Sequence, residues 1–189
     1  MDLRTMNTTR PLPDFSRFTF HVSRFISRVR RNHALEHATM RVLSERHRGL
    51  RLVGRSSLWG FYVYGNVPTE ELLAAAQEGL RRLKAGQRHM AIHPNCGSNL
   101  AVAGILAGLG AFLALGGLSV RRPKSRLERL AHLPLACTAA MLGIVLARPL
   151  GAIFQARVTT QAEVGDLRIV GVTREIKAGA LVHHVRTEG

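Results

Sequence analysis

Two long apolar runs, Leu100 to Val120 and Leu133 to about Phe154, constrain this chain more than anything else in it. The first is essentially uncharged over about twenty residues, the length a helix needs to cross a hydrocarbon core. The second is interrupted only by Arg148 and Pro149 near its far end. A buried hairpin of a soluble protein is the alternative, but the lengths and flanks fit a bilayer better. Residues 100–154 are therefore expected to form a two-helix transmembrane hairpin. Gly104 and Gly108 make a G-x-x-x-G step that allows close helix approach, with the second run as its expected partner and a homo-oligomer as a further use of that face. Cys137 reads as a small apolar packing residue.

The segment between the runs, residues 121–129 (RRPKSRLER), is densely basic and by the positive-inside rule belongs in the cytoplasm. Two spans leave both hydrophilic ends on one side, however, and a cytoplasmic loop would require export of a basic N-terminal part that carries no recognisable signal. We take the termini as cytoplasmic in a two-span protein of the cell membrane; a hairpin too shallow to cross would remove the conflict. The whole chain carries 27 Lys and Arg against 12 Asp and Glu, formally +15, which suits an anionic partner. No zinc-finger, RRM-like or helix-turn-helix signature accompanies that charge, so anionic lipid or an acidic substrate is expected and nucleic acid is not. With only Cys96 and Cys137, far apart and differently set, no disulfide framework is expected.

Ahead of the runs, residues 1–14 read as a flexible tail and residues 15–99 as an α+β domain. Phe15, Phe18, Val22, Phe25, Ile26 and Val29 recur at helical spacing, while Arg17, Arg24, Arg28, Arg30 and Arg31 fall off that stripe. Such a basic amphipathic helix either lies in an anionic membrane interface or packs on its own domain.

If it runs on unbroken, His33, Glu36, His37 and Met40 share the stripe and point inward, and Leu35, Ala38 and Val42 cover the other side. The three polar residues form H-x-x-E-H, a spacing in which two imidazoles can hold one zinc ion while the glutamate polarises a water. Burying them without partners would cost several kcal/mol, so the site needs an ion or a hydrogen-bonded His-Glu-His cluster.

Strands are expected at Leu50–Arg55 and Phe61–Tyr64, and a helix from Thr69 to a stop at Gly86. Ser56, Ser57 and the aromatics Trp59, Phe61, Tyr62 and Tyr64 can line a cleft, but core packing is the expected role. Met90–Ile92 reads as a short strand leading into His93-Pro-Asn-Cys-Gly-Ser-Asn99. There His93 and Cys96 are good zinc ligands, and Ser98 or Asn99 suits the N-cap of the next helix. Four ligands, His33, His37, His93 and Cys96, would make a closed structural site; three would leave room for a reactive water. In the C-terminal segment, 155–189, strands are expected at Leu167–Ile176 and Ala180–Arg186, extending the N-terminal sheet, with His183 and His184 as an exposed pair.

The elements HALEHAT (33–39), GFYVYG (60–65) and HPNCGSN (93–99), ahead of a glycine-rich apolar run, resemble a family of uncharacterised bacterial membrane proteins, a domain of unknown function. More distantly the chain resembles YqhQ-type membrane proteins, with His33, Glu36, His37, Thr39, His93, Cys96 and Gly97 matching and Ala38 and Ser98 replacing lysine and threonine. The H-x-x-E-H element is also similar to that of the inverzincin peptidases. That likeness implies zinc on His33 and His37 and a basic role for Glu36; the downstream glutamate ligand of those larger enzymes has no counterpart here, so His93 or Cys96 must stand in. The combined expectation is a membrane-anchored α+β protein with a zinc site at the membrane face, either a hydrolase of peptide or other amide bonds with Glu36 as catalytic base, or a non-catalytic scaffold.

Overall fold

The computed structural model describes residues 15–117, 126–177 and 179–189, so the tail at 1–14 and the start of the basic inter-run segment lie outside the described residues. One continuous helix, α1 (Phe15–Arg46), carries both the amphipathic stretch and the H-x-x-E-H element. It is about 48 Å long at ~1.5 Å per residue. From Asn32 to Val42 it is covered nearly all round, as the sequence asks: Ala34, Leu35, Ala38 and Val42 are at most 1% exposed. Its earlier stripe behaves differently. Val22, Phe25 and Ile26 are 39%, 54% and 49% exposed, whereas from Ser27, whose hydroxyl bonds Gln161, onward the helix is packed on the domain.

β1 (Val53–Ser57) and β2 (Gly60–Tyr64) form a hairpin across Leu58 and Trp59. The first strand starts later than expected because pairing is set outward from the Ser57–Gly60 closure, which leaves Leu50 to Leu52 as a lead-in. After α2 (Thr69–Lys84), a 3-10 turn at Arg88–Ala91 replaces the expected strand at Met90–Ile92. A strand there would have no neighbour; the turn instead buries Met90 and Ala91, each 1% exposed, against α1. β3 (Arg168–Lys177) and β4 (Ala180–Glu188) complete one antiparallel sheet of order β1-β2-β4-β3. The core between helices and sheet includes Leu35, Leu43, Phe61, Leu72, Leu167 and Val185. Of the aromatic cluster only Phe61 is core: Trp59 is 62% exposed under the Arg28 guanidinium, and Tyr62 stacks on His184. His183 is not exposed; it is fully buried, 3.1 Å from the Thr69 hydroxyl, because its β4 position faces the helix layer.

The apolar runs form α3 (Gly97–Ala114) and α5 (Leu133–Phe154), packed on each other, with a short α4 (Arg126–Ala131) before the second. Both are long and apolar enough to cross a membrane. The first starts three residues earlier than expected and stops at Ala114, ahead of the positive-φ Gly116. Pro149 does not break the second, which continues through it.

Their contact does not use the G-x-x-x-G step. A Cβ at Gly143 would lie 2.7 Å from the Leu106 backbone and one at Gly110 2.8 Å from the Ala139 carbonyl, whereas Gly104 and Gly108 have nothing within 4 Å. Cys137 likewise faces outward on α5 and does not pack between the helices.

Candidate metal centre

α1 presents His33, Glu36 and His37 toward the turn that opens α3, and each imidazole is fixed by a backbone carbonyl. Nδ1 of His33 lies 2.9 Å from the Thr159 oxygen, and Nδ1 of His37 lies 2.7 Å from the Ala91 oxygen. A carbonyl can only accept, so both Nδ1 atoms carry the proton and Nε2 is the nitrogen that each ring turns toward the cluster. The two carbonyls come from irregular backbone: the 3-10 turn offers Ala91, and a π-helical turn at Gln155–Thr159, where α5 ends, offers Thr159. Helix termini leave carbonyls unpaired, and here one is spent on orienting a side chain.

Cys96 stands at the N-cap of α3, where a negative sulfur is favoured by the helix dipole. Its Sγ lies 3.4 Å from His33 Nε2 and accepts from the Ser98 hydroxyl at 3.1 Å. Burial acts to raise this thiol's pKa, but the His33 imidazole, the neighbouring His37 ring and Ser98 outweigh it and bring it down to about 5. For His33, burial lowers the pKa, yet the Cys96 sulfur, the Thr159 carbonyl and Glu36 together raise it. His37 Nε2 is buried and, Cys96 aside, has no hydrogen-bond partner among the described residues.

The ligand atoms of His33, His37 and Cys96 all lie within 4.8 Å of one another. Ligands at ~2.0–2.3 Å from a tetrahedral zinc stand roughly 3.3–3.8 Å apart, so a contraction of about 1 Å brings the three to bonding distance. An orphaned imidazole nitrogen aimed at a thiolate is what such a group requires, and this cluster can hold a metal ion.

Glu36 is 6% exposed and its Oε2 accepts a hydrogen bond from the Ser56 hydroxyl of β1. Burial raises its pKa, partly countered by Ser56 and the two histidines. β1 comes this close because residue 54 is glycine: a Cβ there would sit 2.1 Å from Glu36 Oε1. His93 borders the group without joining it, with its ring centroid 5.7 Å from that of His37; burial and His37 lower its pKa.

Its backbone is gripped by Gln155, which accepts from the His93 N–H at 2.9 Å and donates to the His93 carbonyl at 3.1 Å and to Asn99 Oδ1 at 2.6 Å. Asn99 turns back onto the His93 and Pro94 carbonyls, so neither it nor Ser98 caps α3; Cys96 occupies that position. The group opens into a cleft of about 710 Å³ walled by α1, by residues 50–56 and by the turn from His93 to Ser98.

Sequence reasoning paired the α1 motif with the His93–Cys96 turn, of which the structure draws His33, His37 and Cys96 together, but it missed Gly54, Gln155 and the carbonyls of Ala91 and Thr159. Gln155 left a trace, as a lone amide ending an apolar run. The carbonyls left none, since every residue has one.

Fold and site together define a class: an α+β domain seated on an apolar helical hairpin, with two histidines and a cysteine converging where the hairpin begins. The chain belongs to the family described as Domain of unknown function (DUF6391), whose profile matches residues 28–172, a range that contains His33, Glu36, His37, His93 and Cys96. It is 37% identical over 142 residues to an uncharacterised protein of Picosynechococcus sp. strain PCC 7002, covering 70% of this chain and 65% of the relative. The chain thus spans just under two thirds of that relative's length. No solved structure matches it.

Proposed function

We propose that this protein is a zinc-dependent hydrolase working at a membrane face, with His33, His37 and Cys96 holding the metal and Glu36 acting as general base. The observation that carries this reading is the pair of imidazoles whose Nδ1 atoms are tied to carbonyls, leaving Nε2 of His37 buried and, among the described residues, facing only the low-pKa thiol of the cluster. Two imidazoles and a thiolate suit zinc, and three protein ligands leave a fourth position open. Bound there, zinc supplies a Lewis acid that makes water a nucleophile near pH ~7 and polarises a carbonyl.

The chain's own part is proton handling. Glu36, with its carboxyl raised by burial and anchored by Ser56, takes the proton of the attacking water and passes it to the leaving nitrogen. The water oxygen bonds to the carbonyl carbon, the C–N bond breaks, and an acid and an amine result. The likeness of the H-x-x-E-H element to that of the inverzincins supports a peptide or other amide substrate.

His93 is the remaining candidate for the fourth position. With His93 bound the site would be closed and the protein a scaffold in which the metal staples α1 to the entrance of α3; the Gln155 grip on the His93 backbone favours this second reading.

The setting is a cell membrane crossed twice with both termini cytoplasmic. The exposed Val22, Phe25 and Ile26 among arginines support contact of α1 with anionic lipid, and the open Gly104 and Gly108 face supports a homo-oligomer.

Metal analysis of detergent-purified protein tests the reading. The wild type should carry close to one zinc per chain and His37→Ala almost none; metal-free wild type, purified without chelator, would end both readings. Glu36→Gln should keep the zinc and lose cellular function, and retained function would select the scaffold.

A further inference from the structure

β1 is an outer strand of the sheet, and its hydrogen-bonding phase is set from both hairpins. Ser57 and Gly60, and likewise Lys177 and Ala180, are the end pairs of their ladders with two residues of chain between them, which makes those pairs mutually hydrogen-bonded. Stepping by two from each gives one consistent pattern: Val53, Arg55 and Ser57 bond to β2, while Phe61 and Val63 bond to β4. The bonds Gly65 N to Leu181 O and Thr187 N to Trp59 O, at 3.1 and 3.0 Å, fall in the same phase. The backbone N–H and C=O of Gly54 and Ser56, and of Leu52 in the lead-in, therefore point away from the sheet. Among the described residues no backbone group meets them from outside.

That edge faces the cleft. All residues from Leu50 to Ser56 line it. Side chains of a strand alternate between faces, so an unbroken run lines a cavity where the cavity follows the backbone edge. Gly54 lets the face of β1 settle on the Glu36 carboxylate, so the edge and the carboxylate share the cleft, where any larger residue would hold them apart. Exposed edges recruit extended chain, and proteins that do not use them block them with proline, inward-pointing charge or a covering element. Among the described residues none of these lies on Val53–Ser57, whose only charge, Arg55, turns over the Tyr62 ring.

We propose that the cleft takes an extended polypeptide segment as a fifth strand along the outer edge of β1, with one of its peptide carbonyls set against Glu36 and the His33, His37 and Cys96 group. This rests on the hydrolase reading and names its substrate: unfolded or loop-like polypeptide, not a small amide or a helix. Leu52 to Ser56 offers about 13 Å of edge at ~3.3 Å per residue, enough to register four or five residues of chain. Arg51 and Arg55 line the same cleft and favour acidic side chains on their face of the added strand.

The test uses the full chain in detergent, zinc-loaded and as Glu36→Gln so that bound peptide is not turned over. The probe is a fluorescein-labelled library of blocked hexapeptides with an acidic position, read by anisotropy. For the best binder, two alternately N-methylated versions are compared. A strand added to one edge presents only every second N–H to β1, so methylation in one phase should weaken binding at least tenfold and in the other phase less than threefold. Equal effects in both phases, or no saturable binding by any hexapeptide, would overturn the proposal. Leu52→Pro, which removes one outward N–H before the strand, should weaken the parent peptide at least threefold without changing zinc content; unchanged affinity counts against it. Phase-dependent binding by protein that carries no zinc when purified without chelator and takes none up would sink the zinc reading alone, and stoichiometric zinc with phase-blind binding would sink the strand reading alone.

Discussion

At Gly54 one methyl group would collide with the catalytic candidate: a Cβ there falls 2.1 Å from Glu36 Oε1. Gly54→Ala is expected to destabilise by about 1–3 kcal/mol, the range for overpacking. Adding Glu36→Ala removes the obstacle, so the double variant should recover most of the loss; strictly additive losses in urea titrations would contradict the contact.

Cys96 reports the charge balance of the metal-free site. With its pKa near 5, iodoacetamide alkylation should rise through about pH 5 and level off, where an ordinary thiol would climb through about pH 8.5. Because the folded pKa lies below the unfolded one, the thiolate's contribution to stability is full above about pH 8.5, shrinks as pH falls and is gone below about pH 5. His33, Glu36, His37 and Cys96 were legible because residue type and helical spacing carry chemistry directly. Gly54 was not, since a lone glycine in a strand does not announce what lies behind it.

Among the elements, the π-helical turn that ends α5 does the most to hold the site. Its first residue, Gln155, fixes the His93 turn and its last, Thr159, fixes the His33 ring. Gln155→Leu keeps the volume and removes the amide, leaving the His93 N–H and carbonyl without these partners. Zinc affinity in a chelator competition should fall about 10–100-fold, as when outer hydrogen bonds of a metal site are lost. Thr138→Val, on the exposed side of the same helix, should leave it unchanged.

α1 shows the limit of periodicity at this scale. The 3.6-residue pattern announces one long amphipathic helix, and one helix forms, but the pattern cannot say that Val22, Phe25 and Ile26 stay exposed while the stripe from Asn32 to Val42 is covered. The short run Met90–Ile92 has a strand's composition and turns instead, because a strand needs a neighbour and the sheet's own pairings leave it none.

For the molecule as a whole, the helical hairpin is joined to the domain at the end that carries the His33, His37 and Cys96 cluster. Asn99 of α3 packs over Gly151 of α5, where a Cβ would lie 2.3 Å from its Oδ1, and Gln155 bonds both the hairpin and the His93 turn. Separating the helices should therefore disturb the site at a distance. Gly143→Leu, which drives a side chain into the Leu106 backbone, is expected to lower the melting temperature by at least about 5 °C and to reduce zinc content. Gly104→Leu meets nothing within the chain and should change neither, while abolishing cross-linked dimers if a second copy uses that face. Equal melting shifts for the two variants would show that the glycine faces have been assigned the wrong way round.

Composition and spacing alone settled a good deal here. Two apolar runs announced the hairpin, an i, i+3, i+4 pattern put His33, Glu36 and His37 on one helix face, and alternation announced the C-terminal strands, because each is a local property of the chain. Which glycines carry the helix contact, which histidine of the β4 pair is buried, which carbonyls aim the imidazoles and which strand edge borders the cleft were settled by folding. Each depends on what residues remote in sequence leave facing one another, and a carbonyl or a strand edge has no side chain by which the sequence could mark it.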